Sequence, residues 1–201
     1  MRTPKNQSAV YLLRHGETDW NVQGRFQGHT DTPLNARGVA QASAAIAPLR
    51  GRGIRQVVSS DLTRARHTAI IVAASLGLPV EVDPELRERR YGVFEGLTWA
   101  QIAAQHPVHH AGWQRDPNHA VPNAEPVDVL RARAWRAFER HARHAQGEDA
   151  VLLVSHGGLL RSMLWHVLGE DAPKPIENAR PYRVTLEDGR VVAVDVLPHA
   201  G

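Results

Sequence analysis

Along the 201 residues, short apolar runs without alternation are separated by stretches in which apolar residues recur every three or four positions. Runs of the first kind predict strands buried on both faces, and stretches of the second kind predict amphipathic helices. Val10 to Leu13 is the first strand. Val39, Ala42, Ile46 and Leu49 then predict a helix that Asn35 caps and Gly51 and Gly53 end. Gln56 to Ser59 reads as a second strand. Leu62, Ala65, Ala69, Val72 and Leu76 form the core stripe of a second helix, with Asp61 as its expected cap and Gly77-Leu78-Pro79 as its end. A short strand at Val80 to Val82 leads into an irregular, charged stretch from Asp83 to Gly96 and a short helix over 98–105.

Residues 106–126 carry Pro107, Pro117, Pro122 and Pro126 among polar residues and four histidines, which predicts a surface excursion or lid. Beyond it, Leu130, Ala134, Ala137, Phe138 and His141 mark a long helix with an arginine-rich outer face. Ala150 to Val154 is a further buried strand, and Leu159, Leu160, Met163, Leu164 and Val167 mark the helix that leaves it. The chain closes with a hairpin, 182–186 and 191–196, turned at Glu187-Asp188-Gly189. Strands alternating with helices predict an α/β fold, a three-layer α/β/α sandwich on a mostly parallel sheet, with 1–201 as one domain.

Two of these strands end in the same way. Val10 to Leu13 stops at Arg14-His15-Gly16, and Ala150 to Val154 stops at Ser155-His156-Gly157-Gly158. Ligands of open α/β sheets bind at the carboxyl ends of the strands. One histidine there is more often a satisfied core residue than a catalyst, but two in mirrored contexts shift the weight to chemistry. Arg64 adds to it, in the first turn of a helix whose N-terminal end favours anions.

Composition narrows the chemistry. Cysteine is absent, which excludes disulfides, thiolate metal sites and cysteine nucleophiles and fits a cytoplasmic setting. No run approaches the ~20 apolar residues of a membrane span, and Met1 to Ser8 lacks the apolar core of a signal peptide. The net charge is +3, and Lys5 and Lys174 are the only lysines beside 22 arginines. A Gly-Lys-Ser/Thr phosphate loop is missing, as is any pair of aspartates one residue apart. His15 is then the best nucleophile left. Attack on phosphorus needs a neutral imidazole with Nε2 aimed in line and cations around the equatorial oxygens, and Arg14 and Arg64 supply the cations. Arginine suits this because its planar fork grips two phosphate oxygens at once. Two cations close by also favour the neutral, attacking imidazole.

The residues carry a family resemblance. Arg14 to Thr18 with Trp20-Asn21, Arg25-Phe26-Gln27-Gly28, Ser60 to Ala65 with Thr68-Ala69, Glu88 to Gly92, and Ser155 to Gly158 together resemble the histidine phosphatase superfamily. That group holds the cofactor-dependent phosphoglycerate mutases and their phosphatase relatives. The match runs from about residue 9 to 168, and five co-linear motifs are far more specific than one. The resemblance implies a phosphohistidine on His15 and a phosphate pocket of Arg14, Arg64 and His156. It implies assistance from Asn21 and the Gly157 backbone, substrate contacts around Gln27 and Gly28, and Glu88 as proton donor, because Gly157 stands where one branch of the superfamily has a donor aspartate. It implies neither metal nor cofactor. The expected partner is a small phosphorylated metabolite, not nucleic acid or a membrane, and a homo-oligomer stays open.

Phosphatase is favoured over mutase. Trp99 stands about where mutases of the superfamily carry a lysine, and the segment before the long helix is short. A Gly-Glu-Ser-like stretch seen in many of the phosphatases is replaced by Asn123-Ala124-Glu125-Pro126, so the lid does not name a substrate. A third reading is a catalytically silent phosphate-binding module on the same scaffold. His106, His109, His110 and His119 suggest a metal site only weakly, because Pro107 interrupts their spacing and no cysteine helps.

Overall fold

A computed structural model describes residues 7–116 and 118–198; Lys5, nearly all of the Met1 to Ser8 stretch, and Pro117 lie outside them. Strand β1, Gln7–Arg14, leads through a one-turn helix α1, Asp19–Val22, and a long loop to α2, Ala36–Ala44, which Asn35 caps by accepting the Gly38 N–H at 2.8 Å. The expected single helix breaks at Ala45. A short α3, Ile46–Leu49, follows, and Val39 points to solvent instead of joining the core stripe. Strand β2, Ile54–Ser59, α4, Thr63–Leu76, and β3, Val80–Val82, come next. The irregular stretch holds two 3-10 turns, Pro84–Leu86 and Gly92–Phe94. Helices α5, Trp99–Gln105, α6, Pro107–Arg115, and α7, Val127–Ala142, precede β4, Ala150–Ser155, and α8, Gly157–Leu168. The closing hairpin pairs β5, Pro181–Glu187, with β6, Arg190–Val196. Asp188 and Gly189 both take positive φ in its turn, the conformation that suits the strand twist.

The sheet order is β3-β2-β4-β1-β5-β6. The first four strands are parallel, and the β5–β6 hairpin joins antiparallel at β1. Alternate residues of the two central strands go to different cores. Val10 and Leu12 of β1 with Val151 and Leu153 of β4 pack under Leu130, Phe138, Leu159 and Met163 of α7 and α8. Tyr11 and Leu13 with Leu152 and Val154 pack under Leu49, Ala69 and Val72 on the opposite face. This is why neither strand alternates apolar with polar. The chain leaves β1 towards β2 across one face and leaves β4 towards β5 across the other, so the sheet switches direction between them. His15 and His156 follow those two strands, in the crevice where such sheets bind ligands.

Three local expectations are corrected. Asp61 does not cap α4. Its carboxylate forms a bidentate ion pair with Arg87, while Asp31 accepts the Thr63 N–H and hydroxyl at 2.8 and 2.6 Å. The proline that argued against a helix at 106–126 starts one instead, because Pro107 occupies the first turn of α6, where no N–H is needed. Trp113 on α6 stacks on Phe94, ring centroids 5.3 Å apart, closing a small core with Ile102 and Val121. The arginines of α7 are not a uniformly solvated face. Arg140 pairs with Asp83 and Glu85, and Arg131 lies 3.6 Å over the Trp165 ring. Arg133 grips Glu125 with Nε and Nη2 while donating to the carbonyls of Glu85, Arg87 and Glu88. That clamp fixes the otherwise irregular segment carrying Glu88.

Candidate active site

The histidine-bearing ends of β1 and β4 are tied together, since the His15 N–H donates to the Ser155 carbonyl at 2.9 Å. The two imidazoles lie with ring centroids 5.2 Å apart, both buried. Gly16 allows the turn after β1: a Cβ there would sit 2.3 Å from the Gly38 carbonyl oxygen of α2. The Gly16 N–H donates to the Thr68 hydroxyl, which in turn donates to the Arg64 carbonyl.

Hydrogen-bond accounting fixes the His15 tautomer and assigns to His156 the one that leaves no Ser60 proton unpaired. His15 Nδ1 is 2.7 Å from the Gly16 carbonyl oxygen, and a carbonyl only accepts, so Nδ1 carries the proton and Nε2 keeps its lone pair. Burial first, then the charges of Arg14 and Arg64, hold the His15 pKa well below the ordinary 6.5. The ring is neutral and Nε2 is bare. His156 Nε2 is 2.9 Å from the Ser60 hydroxyl. That hydroxyl already accepts the Leu62 N–H at 3.3 Å, and His156 Nε2 is the acceptor left for its own proton. Ser60 therefore donates to Nε2, and the proton of a neutral His156 sits on Nδ1. Burial first, then Arg64, His15 and Arg14, depress this pKa well below 6.5 too. Among the described residues His156 Nδ1 has no partner although it is buried. A buried N–H without an acceptor costs about 1–3 kcal/mol, so the position suits an oxygen supplied by a ligand.

Arg14 and Arg64 come from the end of β1 and the start of α4. Arg14 Nη1 donates to the Ile176 carbonyl at 2.7 Å; Arg64, fully buried, donates to the carbonyls of Gly28 and Thr30 at 2.7 and 2.9 Å. Neither has a carboxylate partner among the described residues, and the Nε of each is buried and unpartnered. Burial is the main influence lowering both guanidinium pKa values, opposed first by Glu88. Arginine has reserve enough to remain charged. A half-buried and a fully buried cation, both held by carbonyls, make a strongly electropositive concavity, the environment a phosphate dianion requires.

Glu88 faces this concavity from the other side of the β4–α8 turn. Its Oε1 accepts the N–H groups of Arg89 and Leu159 at 2.7 and 3.1 Å, and its Oε2 accepts the Gly158 N–H at 2.9 Å. The carboxylate thus sits on the free N–H groups at the start of α8. Gly158 makes this seat: a Cβ there would lie 2.5 Å from Glu88 Oε1 and 3.2 Å from the Tyr91 hydroxyl. At Gly157 a Cβ would meet only the Arg14 guanidinium, at 3.4 Å. Tyr91 is kept neutral by burial first and by Glu88 second, which push its pKa up.

The remaining expected positions line one cleft of about 200 Å³, bounded by Arg14, His15, Asn21, Gln27, Gly28, Arg64, Glu88 and Tyr91. Within it, Asn21 Oδ1 accepts the Thr18 N–H, and the Thr18 hydroxyl accepts the Asn21 N–H, in a capping box on α1. Gln27 Oε1 accepts the hydroxyls of Thr18 and Thr32, at 3.1 and 2.6 Å. Gly28 takes φ +54°, and a Cβ there would collide with Glu95 Oε1 at 2.1 Å. Glu95 accepts from His29, Thr30 and Tyr91 and so binds the 26–30 loop to the 88–95 segment. The residues missed at the level of sequence are Ser60, Gly158 and Tyr91. Each lay inside a recognised motif, but their roles are contacts across the sheet edge. His109 and His119 meet at 3.2 Å between ring nitrogens. Among the described residues no group of three histidines or carboxylates could hold a metal ion, and no helix is long and apolar enough to cross a membrane.

This combination of a doubly wound sheet with a paired-histidine, paired-arginine crevice defines a phosphate-handling α/β enzyme class. The family model of the histidine phosphatase superfamily, branch 1, matches residues 10–196, and the chain belongs to that superfamily. Adenosylcobalamin/alpha-ribazole phosphatase of Escherichia coli K12 is 33% identical over 93% of this chain and 89% of its own. A protein of Escherichia fergusonii named "Probable phosphoglycerate mutase GpmB" is 36% identical over 80% of this chain and 74% of its own. Among solved structures, the alpha-ribazole phosphatase of Shigella flexneri superposes with a TM-score of 0.83 at 30% identity, covering 96% of this chain and 97% of that one.

Proposed function

We propose that this phosphatase of the histidine phosphatase superfamily is a metal-independent phosphomonoesterase that works through a phosphohistidine on His15. The observation that carries the reading is the bare Nε2 of a neutral His15 beside the half-buried Arg14 and the buried Arg64, neither of which forms an ion pair with a carboxylate among the described residues. The phosphate of a small metabolite enters with its oxygens on Arg14, Arg64 and the Nδ1–H of His156, assisted by the Gly157 backbone. Asn21, Gln27 and Gly28 border the substrate.

Nε2 attacks phosphorus in line, the N–P bond forms and the ester P–O bond breaks. Glu88, as general acid, gives a proton to the departing alkoxide. The deprotonated Glu88 then takes a proton from water, whose oxygen attacks phosphorus as the N–P bond breaks. Inorganic phosphate leaves, and both residues return to their starting states. Trp99, about where mutases carry a lysine, packs on Phe26 and His110 and offers no cation to retain a phosphorylated intermediate. We take the setting as cytoplasmic, in line with the absence of cysteine.

The test is phosphate release from p-nitrophenyl phosphate and 3-phosphoglycerate with EDTA present, for the wild type and His15→Ala. Release that survives EDTA and disappears in the variant is expected. Isomerisation of 3-phosphoglycerate after addition of bisphosphoglycerate, with no release, would instead establish a mutase; no turnover of any kind would leave a binding module.

A further inference from the structure

Beside the phosphate cleft lies a larger cavity of about 510 Å³ that shares Phe26 and Tyr91 with it and reaches Gly158 at the seat of Glu88. A phosphomonoester with phosphorus at His15 and its ester oxygen toward Glu88 would extend its alcohol portion into this space. The cavity is far larger than a phosphate needs and lies within the range of small-molecule sites. Its wall is aromatic on one side, with Tyr91 and Trp113, and holds Arg89, Arg131, Arg161 and Lys174 against a single carboxylate, Glu170.

These cations are not equivalent. Lys174 Nζ is paired with Glu170 at 3.1 Å, and Arg131 lies 3.6 Å over the Trp165 ring. Arg89 and Arg161 form no ion pair with a carboxylate among the described residues, and Glu170 feels the charge of Arg161 only at longer range. Arg89 is buried, donates Nε to the Glu125 carbonyl at 2.9 Å and stands 4.9 Å over the Trp113 ring. Arg161, on α8 one turn beyond the Gly157-Gly158 start, has a buried Nε with no partner. Burying a guanidinium without an anion is costly; Arg89 is buried, Arg161 is half-buried with its Nε sealed off, and both line the cavity beside the phosphate cleft.

Resting on the phosphatase reading above, we propose that the enzyme selects phosphomonoesters whose alcohol portion carries a second anionic group, a carboxylate or another phosphate, which Arg89 and Arg161 bind in this cavity. Arg161 is the specificity-determining residue. It contacts the part of the substrate that is not transferred, so it separates substrates from one another without entering the phosphoryl-transfer steps.

The experiment compares kcat/KM for two matched pairs, 3-phosphoglycerate against glycerol 3-phosphate and fructose 1,6-bisphosphate against fructose 6-phosphate, in wild type, Arg161→Met and Arg161→Lys. A charge-assisted pair implies a wild-type preference of roughly 10–100-fold for the member with the additional anion. The pair showing that preference identifies carboxylate or phosphate as the group read. Arg161→Met should bring the preference close to unity by losing far more on the doubly anionic member, and Arg161→Lys should retain part of it. Equal rates within both pairs in a wild type that hydrolyses p-nitrophenyl phosphate would overturn the proposal while leaving the phosphatase intact, as would a preference that survives Arg161→Met. A wild type inert toward p-nitrophenyl phosphate and all four esters would overturn the phosphatase reading itself.

Discussion

Replacing Glu88 by glutamine changes two things that the structure separates. Glutamine keeps one oxygen, which can occupy the Oε1 position and accept the Arg89 and Leu159 N–H groups. Its amide nitrogen then stands where Oε2 accepted the Gly158 N–H at 2.9 Å, so donor faces donor. One charge-assisted bond is lost at a cost of about 1–3 kcal/mol. At ~2–4 °C per kcal/mol for a chain of this length, Tm should fall by about 2–12 °C. The second change is chemical. The amide cannot donate a proton to the leaving oxygen, a loss of about 10²–10⁴-fold for an alkyl phosphate. A p-nitrophenolate departs without that proton, so its ester should lose no more than about tenfold from displacement of the side chain. The comparison belongs in kcat/KM, which reports steps through transfer to His15. kcat can be limited by hydrolysis of the phosphohistidine, a step common to both substrates. Equal losses in kcat/KM for glycerol 3-phosphate and p-nitrophenyl phosphate would refute Glu88 as the acid. An unchanged Tm would refute the seat at the start of α8.

The same geometry makes other perturbations informative. Gly158→Ala puts a methyl group 2.5 Å from Glu88 Oε1, so it should reproduce the leaving-group-dependent loss of Glu88→Gln with that carboxyl chemically intact; wild-type rates on alkyl phosphates would contradict the contact. Ser60→Ala removes the hydroxyl that holds the His156 proton on Nδ1, and a loss of about 1–3 kcal/mol in transition-state binding, roughly 5–150-fold in kcat/KM, is expected. In its nitrogen-detected NMR spectrum the His156 ring should change tautomer, and a spectrum like that of the wild type would sink the assignment. For pH, both buried imidazoles have folded pKa values below the unfolded 6.5. The unfolded chain therefore binds more protons as pH falls below about 6.5, and stability full above that value declines toward acid. Thermal melts from pH 7.5 to 5 should show this decline, and His156→Asn should flatten it; parallel curves would argue against a neutral buried His156.

The amino-acid order by itself determined the layered α/β fold, because residues such as Val10 to Leu13 and Val151 to Val154 are apolar at every position and only a strand covered on both faces accommodates that pattern. It also marked His15, His156, Arg14 and Arg64, since a histidine directly after a buried strand lies on the sheet edge wherever the strand goes. Helix starts were legible where the cap is local, as at Asn35, and misread where it comes from afar: Asp31 caps α4 in place of Asp61. The nature of α6 escaped because Pro107 reads as a breaker unless it falls in a first turn, and burial of Trp113 against Phe94 is what holds that helix in place. Only the tertiary structure decided which nitrogen of His156 carries the proton, because that hydrogen bond joins it to Ser60 across 96 positions of chain, whereas His15 is set by the adjacent Gly16. It alone decided that Gly158, not Gly157, makes room for Glu88, and that Arg133 clamps the segment bearing that carboxylate. Arginines on helix faces look alike in sequence, and what distinguishes Arg133 of α7 from Arg161 of α8 is an ion pair with Glu125 in one case and, among the described residues, none in the other, a property of packing between elements.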